Sequence, residues 1–401
     1  MSRRFRYPEK KMLAMVVGMV MAAHATGCAT PGYFAIPSIS IDEVYDGNLF
    51  FASANKQSDF ITRVSPALEV GYEADTLSWS GRYWFDAEAY AGETALNSSL
   101  VRQFADVNVE YLPTSRLTLS AAANYTKTDT PLDLTLIPGA TIPGLLLGRA
   151  DAERTSVHSA ASYRLTKLTT GSLAFTRSNV ELVDAGESEV SALETRFDQR
   201  LSEVNTLSYG YIHRQYRFDE FGFGGQAGPS LTREATEESN TPWIGLSHQF
   251  NARTRITARA GPRLVGESVD PYVLVSLQHR LTQGEVLLEY HRDETTLLGV
   301  PRKLELDALY ATISRRIRPH LEVKLTPGYA RLYQAGLSVD IYSFGLGAVY
   351  KINEAVFLTA SYDFNLQDVR AVPGGASEIS YNAIQVGVRF TYPRREPREP
   401  R

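Results

Sequence analysis

Hydrolytic acid–base chemistry needs a carboxylate, an imidazole and a polar nucleophile within hydrogen-bond reach, and one stretch of this chain has the right content: Glu289, His291 and Asp293. On an extended strand, residues two apart share a face, so these three would stand together near the outer end of one strand. There they could activate water against a lipid or glycan. His158 and Ser159 are sequence neighbours, and neighbours on a strand point to opposite faces, which is the wrong arrangement for a nucleophile and its base. The seven His residues follow no metal-ligand spacing. Phe221-Gly222-Phe223-Gly224-Gly225 is Gly-rich but lacks the Lys-Ser/Thr that completes a phosphate loop, so it reads as a flexible loop. No catalytic, cofactor-binding or metal-binding residue is assigned on this basis, and no cofactor is expected.

The elements that must carry these residues are strands. In Ile384-Gln385-Val386-Gly387-Val388-Arg389-Phe390-Thr391-Tyr392, large apolar side chains fill the even positions and polar or small ones the odd positions. That two-residue period returns along the chain in stretches of about 10 residues, the length of a tilted strand crossing a bilayer. A hydrophobic content of 43%, a mean hydropathy of -0.21 and 22 Tyr suit strands with one face in lipid and the other in water. Long unbroken apolar runs are missing beyond the N-terminus, which argues against a bundle of membrane helices. The expected fold is all-β: a closed antiparallel transmembrane barrel of about 18 strands, with 16 as the alternative.

Short turn signals recur at Ala74-Asp75-Thr76, Pro113-Thr114-Ser115, Thr166-Lys167, Glu203-Val204-Asn205, Asn251-Ala252-Arg253, Thr282-Gln283-Gly284, Arg318-Pro319-His320 and Asn353-Glu354. Between them lie more variable connections, including Pro131 to Gly148 and Phe221 to Arg233. Short turns on one side and longer loops on the other are what a barrel shows at its periplasmic and outer faces. The first strand is expected near Ile39 to Phe51, pairing with the last, which puts both termini on the periplasmic side. The barrel domain is expected over 38–392.

Alternation also assigns faces. Leu77, Trp79, Tyr83 and Phe85 would meet lipid while Arg82, Asp86 and Glu88 face inward, and Asp363 and Arg389 follow the same rule on later strands. Glu194, Arg196, Asp198, Arg200, Glu305, Asp307, Arg315, Glu322 and Lys324 complete the expected lumen set, because an Arg or Lys facing lipid at the midplane costs about 2–4 kcal/mol. A barrel this wide holds an aqueous lumen unless a loop or partner plugs it. The mixed charges either line a selective path or pair across the lumen into a plain polar wall. Leu134 to Leu147 is unusually apolar for an outer loop; it either packs on the barrel's own rim, narrows the mouth, or rests on lipid or a partner.

The N-terminus has the layout of an export signal over 1–27: Arg3, Arg4, Arg6, Lys10 and Lys11, then the apolar run from Met12 to Ala23, then small residues. Ala25-Thr26-Gly27-Cys28 resembles a lipobox, which would lipidate Cys28; simple cleavage after Ala25 is the other reading. Cys28 is the sole Cys, so no disulfide is expected. Five basic residues and one acid leave with the signal, so the formal charge of -4 becomes about -8. That acidity argues against a nucleic-acid partner. Residues 393–401, rich in Pro and Arg, read as a disordered periplasmic tail, inert or in contact with a partner.

Tyr45-Asp46-Gly47-Asn48-Leu49-Phe50, followed by Ser58-Asp59-Phe60-Ile61-Thr62-Arg63-Val64-Ser65-Pro66, resembles the opening of a family of outer-membrane β-barrel porins found beside exopolysaccharide biosynthesis loci. The family's usual opening is closer to Tyr-x-Asp-Asn, so Gly47 departs from it. The resemblance implies an outer-membrane protein tied to making or exporting surface polysaccharide. The expected location is therefore the cell outer membrane. The expected partners are membrane lipid and lipopolysaccharide, the barrel-assembly machinery during biogenesis, and polysaccharide or its export complex. The leading expectation is a porin-like channel. The alternative is a non-conducting structural or docking barrel, and an outer-membrane hydrolase built on Glu289, His291 and Asp293 is the third.

Overall fold

A strand with an apolar side and a polar side is stable in a bilayer only when every backbone N–H and C=O is paired, and a sheet achieves that by closing on itself. The computed structural model describes residues 32–130, 148–182, 186–218, 235–297, 300–334, 336–371 and 375–392. They form eighteen strands: β1 (Tyr33–Asp46), β2 (Asp59–Glu73), β3 (Leu77–Tyr90), β4 (Ser98–Thr114), β5 (Leu117–Thr128) and β6 (Ala152–Arg164). Next come β7 (Thr169–Leu182), β8 (Gly186–Arg200), β9 (Asn205–Phe218), β10 (Ala235–Asn251), β11 (Thr254–Val265) and β12 (Ser268–Leu281). The last six are β13 (Gly284–Leu297), β14 (Val300–Arg318), β15 (Leu321–Gln334), β16 (Leu337–Lys351), β17 (Val356–Ala371) and β18 (Gly375–Thr391). Consecutive strands pair antiparallel, and β18 pairs with β1 from Ser38 opposite Thr391 to Asp46 opposite Ala383. The sheet is a closed barrel, and the 16-strand alternative falls away.

Cross-strand partners share a face, so the register carries the inside and outside from strand to strand. Ser361, Gln385, Val44, Ile61 and Tyr90 form one inward row; Tyr362, Ile384, Tyr45 and Phe60 form the outward row beside it. Ile384, Val386 and Phe390 of the last strand are exposed on the outside, as are Leu173, Phe197, Ile244, Leu309 and Leu358 elsewhere. An apolar belt of this kind is stable against hydrocarbon and unstable against water.

All eight expected short turns fall at junctions between consecutive strands. Five share one device, in which a side-chain oxygen accepts hydrogen bonds from the N–H groups two and three residues on: Thr114, Thr166, Ser202, Asn251 and Asn353. Such a turn satisfies its own backbone and needs no help from the rest of the barrel.

β1 starts at Tyr33, ahead of the expected Ile39, and stops at Asp46, so Gly47 to Phe51 lies outside the strand expected to include it. The export signal at 1–27, Cys28, the apolar loop from Leu134 to Leu147, the Gly-rich loop around Phe221 and the tail at 393–401 lie outside the described residues.

Candidate functional site

The site is the inner wall of the barrel. In its outer half, β2, β3 and β4 bring four charges together: Arg63 lies 2.8 Å from Glu88 and 3.7 Å from Asp86, and Arg102 lies 3.1 Å from Asp86 and 3.7 Å from Glu88. Ser65 donates to Asp86 at 2.6 Å and the Tyr90 hydroxyl to Glu88 at 2.7 Å, while Arg149, from the connection after β5, donates to the Tyr90 hydroxyl and pairs with Asp129. Three cations meet three carboxylates, and buried charges of this density are tolerable because each is matched. A cavity of about 380 Å³ beside them is lined by Arg63, Tyr90, Arg102, Arg149, Asp363 and Tyr381, among others.

The half toward the short turns is built differently. Trp84 on β3 and Phe104 on β4 are direct cross-strand partners and stack with centroids 4.8 Å apart and planes at 11°. The Arg82 guanidinium lies 4.7 Å from the Trp84 ring centroid, and that of Arg389 lies 5.1 Å from the Phe357 centroid. Among the described residues neither Arg82 nor Arg389 makes an ion pair, although Glu69 and Asp106 are the cross-strand neighbours of Arg82. Both arginines line a cavity of about 450 Å³ with Ser38, Ser40, Asp42 and Ser361. This cavity shares Arg63, Arg102 and Gln385 with the outer one, so the two continue into each other along the lumen.

At the mouth the wall bends inward. The β12–β13 ladder stops at Val273 opposite Arg292, although β12 stays paired to β11 as far as Ser268. The outer ends of β13 and β14 leave that neighbour, and β14 approaches β9 and β10 on the other side of the gap. Polar side chains hold them there. Arg214 of β9 donates twice to Asp293, Ser239 of β10 donates to Glu294, and Arg263 of β11 pairs with Glu305 and lies 3.3 Å from Glu294. Lys303 adds a bond to Glu294 at 3.1 Å. In this latch the Arg263 and Glu294 side chains are fully buried, while Asp293 and Glu305 each keep about a fifth of their surface exposed. On the inward face of the bent segment, Leu304, Leu306, Ala308 and Tyr310 pack with Ala330, Leu332, Val339 and Ile341.

The seam between the first and last strands has its own clamp. The Asn48 amide donates to Ala52 O and Ser380 O, its carbonyl accepts from Ala52 N, and its own N–H bonds Asp46. Gly47 N donates to Asn382 O at 2.8 Å, and a Cβ at Gly47 would fall 2.0 Å from Asn382 Oδ1. The departure at Gly47 thus has a steric reason: the Asn382 side chain fills the place a Cβ would take, and the Asn382 carbonyl oxygen lies 3.1 Å from it. Leu49 turns into a small cluster with Val44, Ile61 and Tyr90.

No protein-family model matches the chain, and no curated protein does. Among the solved structures similar to it are proteins described as transporters and receptors. They include the copper transporter OprC (11% identity, TM-score 0.45, 90% of this chain and 81% of that one) and the siderophore receptor PirA from Pseudomonas aeruginosa (8%, 0.44, 90% and 81%). The FrpB iron transporter from Neisseria meningitidis is another (9%, 0.41, 91% and 82%).

The register places Arg82, Asp86, Glu88, Glu194, Arg196, Asp198, Arg200, Glu322, Lys324, Asp363 and Arg389 on the inward face. Several are paired there: Arg196 with Asp198 at 2.8 Å, and Glu194 with Arg259 at 3.6 Å, whose guanidinium also lies over Trp243. Three expected lumen residues of β14 are corrected. Glu305, Asp307 and Arg315 share the face of exposed Leu309 and Ile317, the outward one. Glu305 escapes lipid because the hairpin bends and turns this face to Arg263; Asp307 takes a hydrogen bond from Tyr290 at 3.0 Å. Arg315 sits opposite Gly284 beside the turn, at the level where a long basic side chain reaches water.

The acid–base trio does share an inward face, since Glu289, His291 and Asp293 oppose Tyr310, Ala308 and Leu306. Asp293 is bound by Arg214, and the His291 ring lies edge-on to Tyr310 with centroids 6.2 Å apart. The trio forms no relay. Alternation missed the latch because Arg214, Ser239 and Arg263 come from strands remote from β13; the crowding of five charges in Arg292–Glu294 and Lys303–Glu305 is the local signal that could have pointed to this hairpin.

Proposed function

We propose that this protein is an outer-membrane channel serving the production or export of a surface polysaccharide. The observation that carries the channel reading is the pair of joined cavities running along a polar inner wall, inside a closed barrel with an apolar exterior. A lumen lined by hydroxyls, amides and paired charges lets a hydrated solute move without paying for dehydration. The polysaccharide association rests on the opening segment from Tyr45 to Pro66. In the cell its partners are membrane lipid and lipopolysaccharide, the assembly machinery, and the polysaccharide or its export complex.

Reconstitution in planar bilayers tests the channel. Discrete conductance steps are expected from protein whose folding is verified by heat-modifiable migration, and folded protein without conductance overturns the reading. The latch at the mouth favours one other reading, a non-conducting docking barrel, whose signature is co-purification with export components and no current. Loss of surface polysaccharide on deleting the gene tests the association separately.

A further inference from the structure

Arg82 and Arg389 are the two lumen arginines backed by an aromatic face and without an ion-pair partner among the described residues. A guanidinium stacked on a ring keeps its N–H edge free and loses little freedom when it binds, and its planar fork matches a carboxylate. The other charges in the same cavity are spoken for: Arg63 and Arg102 are tied to Asp86 and Glu88, which leaves Asp42 as the one lining carboxylate outside that group. The lining set of four Arg and two Asp is net positive in a protein that is acidic overall.

The register measures the distance between the two. Arg389, Ser40 and Ser65 form one inward row across β18, β1 and β2, which Asp86 continues on β3, and Arg82 lies four residues from Asp86 toward the short-turn end. The row spans three interstrand spacings, about 14 Å, and the four-residue offset along β3 adds about 13 Å at right angles to it, so the two arginines stand about 20 Å apart along the wall. Serine hydroxyls occupy the places between the two arginines, and Ser38, Thr359 and Ser361 add more. We propose that this strip is a binding site for an acidic saccharide chain: Arg82 and Arg389 each hold a sugar carboxylate, and the serines bond ring hydroxyls between them. The proposal rests on the channel reading and names the chemical class of its solute.

Calorimetric titration of the full-length protein, folded in detergent, with oligogalacturonate tests the strip without requiring current. Saturable binding is expected, weakening as salt is raised, with no binding of a neutral malto-oligosaccharide and none of acetate at equal concentration. R82Q and R389Q should each weaken binding about tenfold, the loss of one charge-assisted contact. R82K should recover only part of it, because an ammonium keeps the charge without the fork. Oligogalacturonate heat that R82Q and R389Q leave unchanged overturns the proposal, as does equal binding of the neutral sugar. Acetate binding as tightly as the oligomer would reduce the strip to a simple anion site and overturn the saccharide assignment. Binding without bilayer conductance would keep the strip and remove the channel; conductance without binding would do the reverse.

Discussion

Arg214 on β9 grips Asp293 on β13 through both terminal guanidinium nitrogens, each 2.8 Å from a carboxylate oxygen, although the two strands stand four places apart around the wall. A contact between such distant strands exists only because the β13–β14 hairpin has left the wall. Removing one partner of a sheltered pair leaves the other uncompensated, at a cost of about 3–5 kcal/mol when burial is complete. Arg214→Gln should therefore loosen the hairpin and raise single-channel conductance, and the exchange R214D with D293R should restore part of the closed behaviour. Unchanged conductance in Arg214→Gln would mean that the hairpin does not control the opening.

Val386 is exposed on the outer face while Gln385 faces the lumen. Val386→Arg should cut outer-membrane assembly sharply, since an Arg near the midplane costs about 2–4 kcal/mol, whereas Gln385→Arg should assemble almost normally. The yield of heat-modifiable protein reads the difference. Equal yields would require the facing of β18 to be reversed.

The corrected facing of β14 can be checked in the same assay. Leu309 is 45% exposed on the outward face and Thr312 is inward, so Leu309→Arg should block assembly and Thr312→Arg should not. The opposite result would return Glu305, Asp307 and Arg315 to the lumen.

Asn48 makes three side-chain hydrogen bonds at the seam. At about 1 kcal/mol for each bond, Asn48→Ala should destabilise the barrel by about 2–4 kcal/mol, visible as a lower urea midpoint and a lower temperature of gel-shift conversion. Asn48→Asp, which keeps an acceptor for Ala52 N and loses the donors to Ala52 O and Ser380 O, should fall between. A midpoint for Asn48→Ala equal to that of the parent would show that the strand ladder alone holds the seam.

The barrel was legible because its two strongest signals are local. Alternation needs only neighbouring residues, and turns such as Asn251-Ala252-Arg253 cap themselves, so strand count and the facing of β3, β17 and β18 could be read directly. The reading failed where a segment leaves the wall. Along Leu304-Glu305-Leu306-Asp307 the alternation is perfect, yet its sense is inverted, because period alone tells which residues share a face and not what that face meets. The stacked Trp84 and Phe104 were equally hidden: Trp84 is an inward aromatic on a strand whose outward positions are also aromatic, Phe104 stands alone among the polar inward residues of β4, and only the pairing of β3 with β4 brings them together.

The seam clamp also governs the order of events in assembly. Each self-capped turn lets its two strands associate as soon as they are made, with contacts between residues close in sequence, and such contacts form early because little chain entropy opposes them. The bond from Asn48 to Ser380 joins residues 332 positions apart, so it can form only after every intervening hairpin is in register. A chain with one strand slipped or missing presents the wrong backbone carbonyl to Asn48 and cannot complete the ring. The clamp therefore reports completion, and a barrel that has made it has counted its own strands.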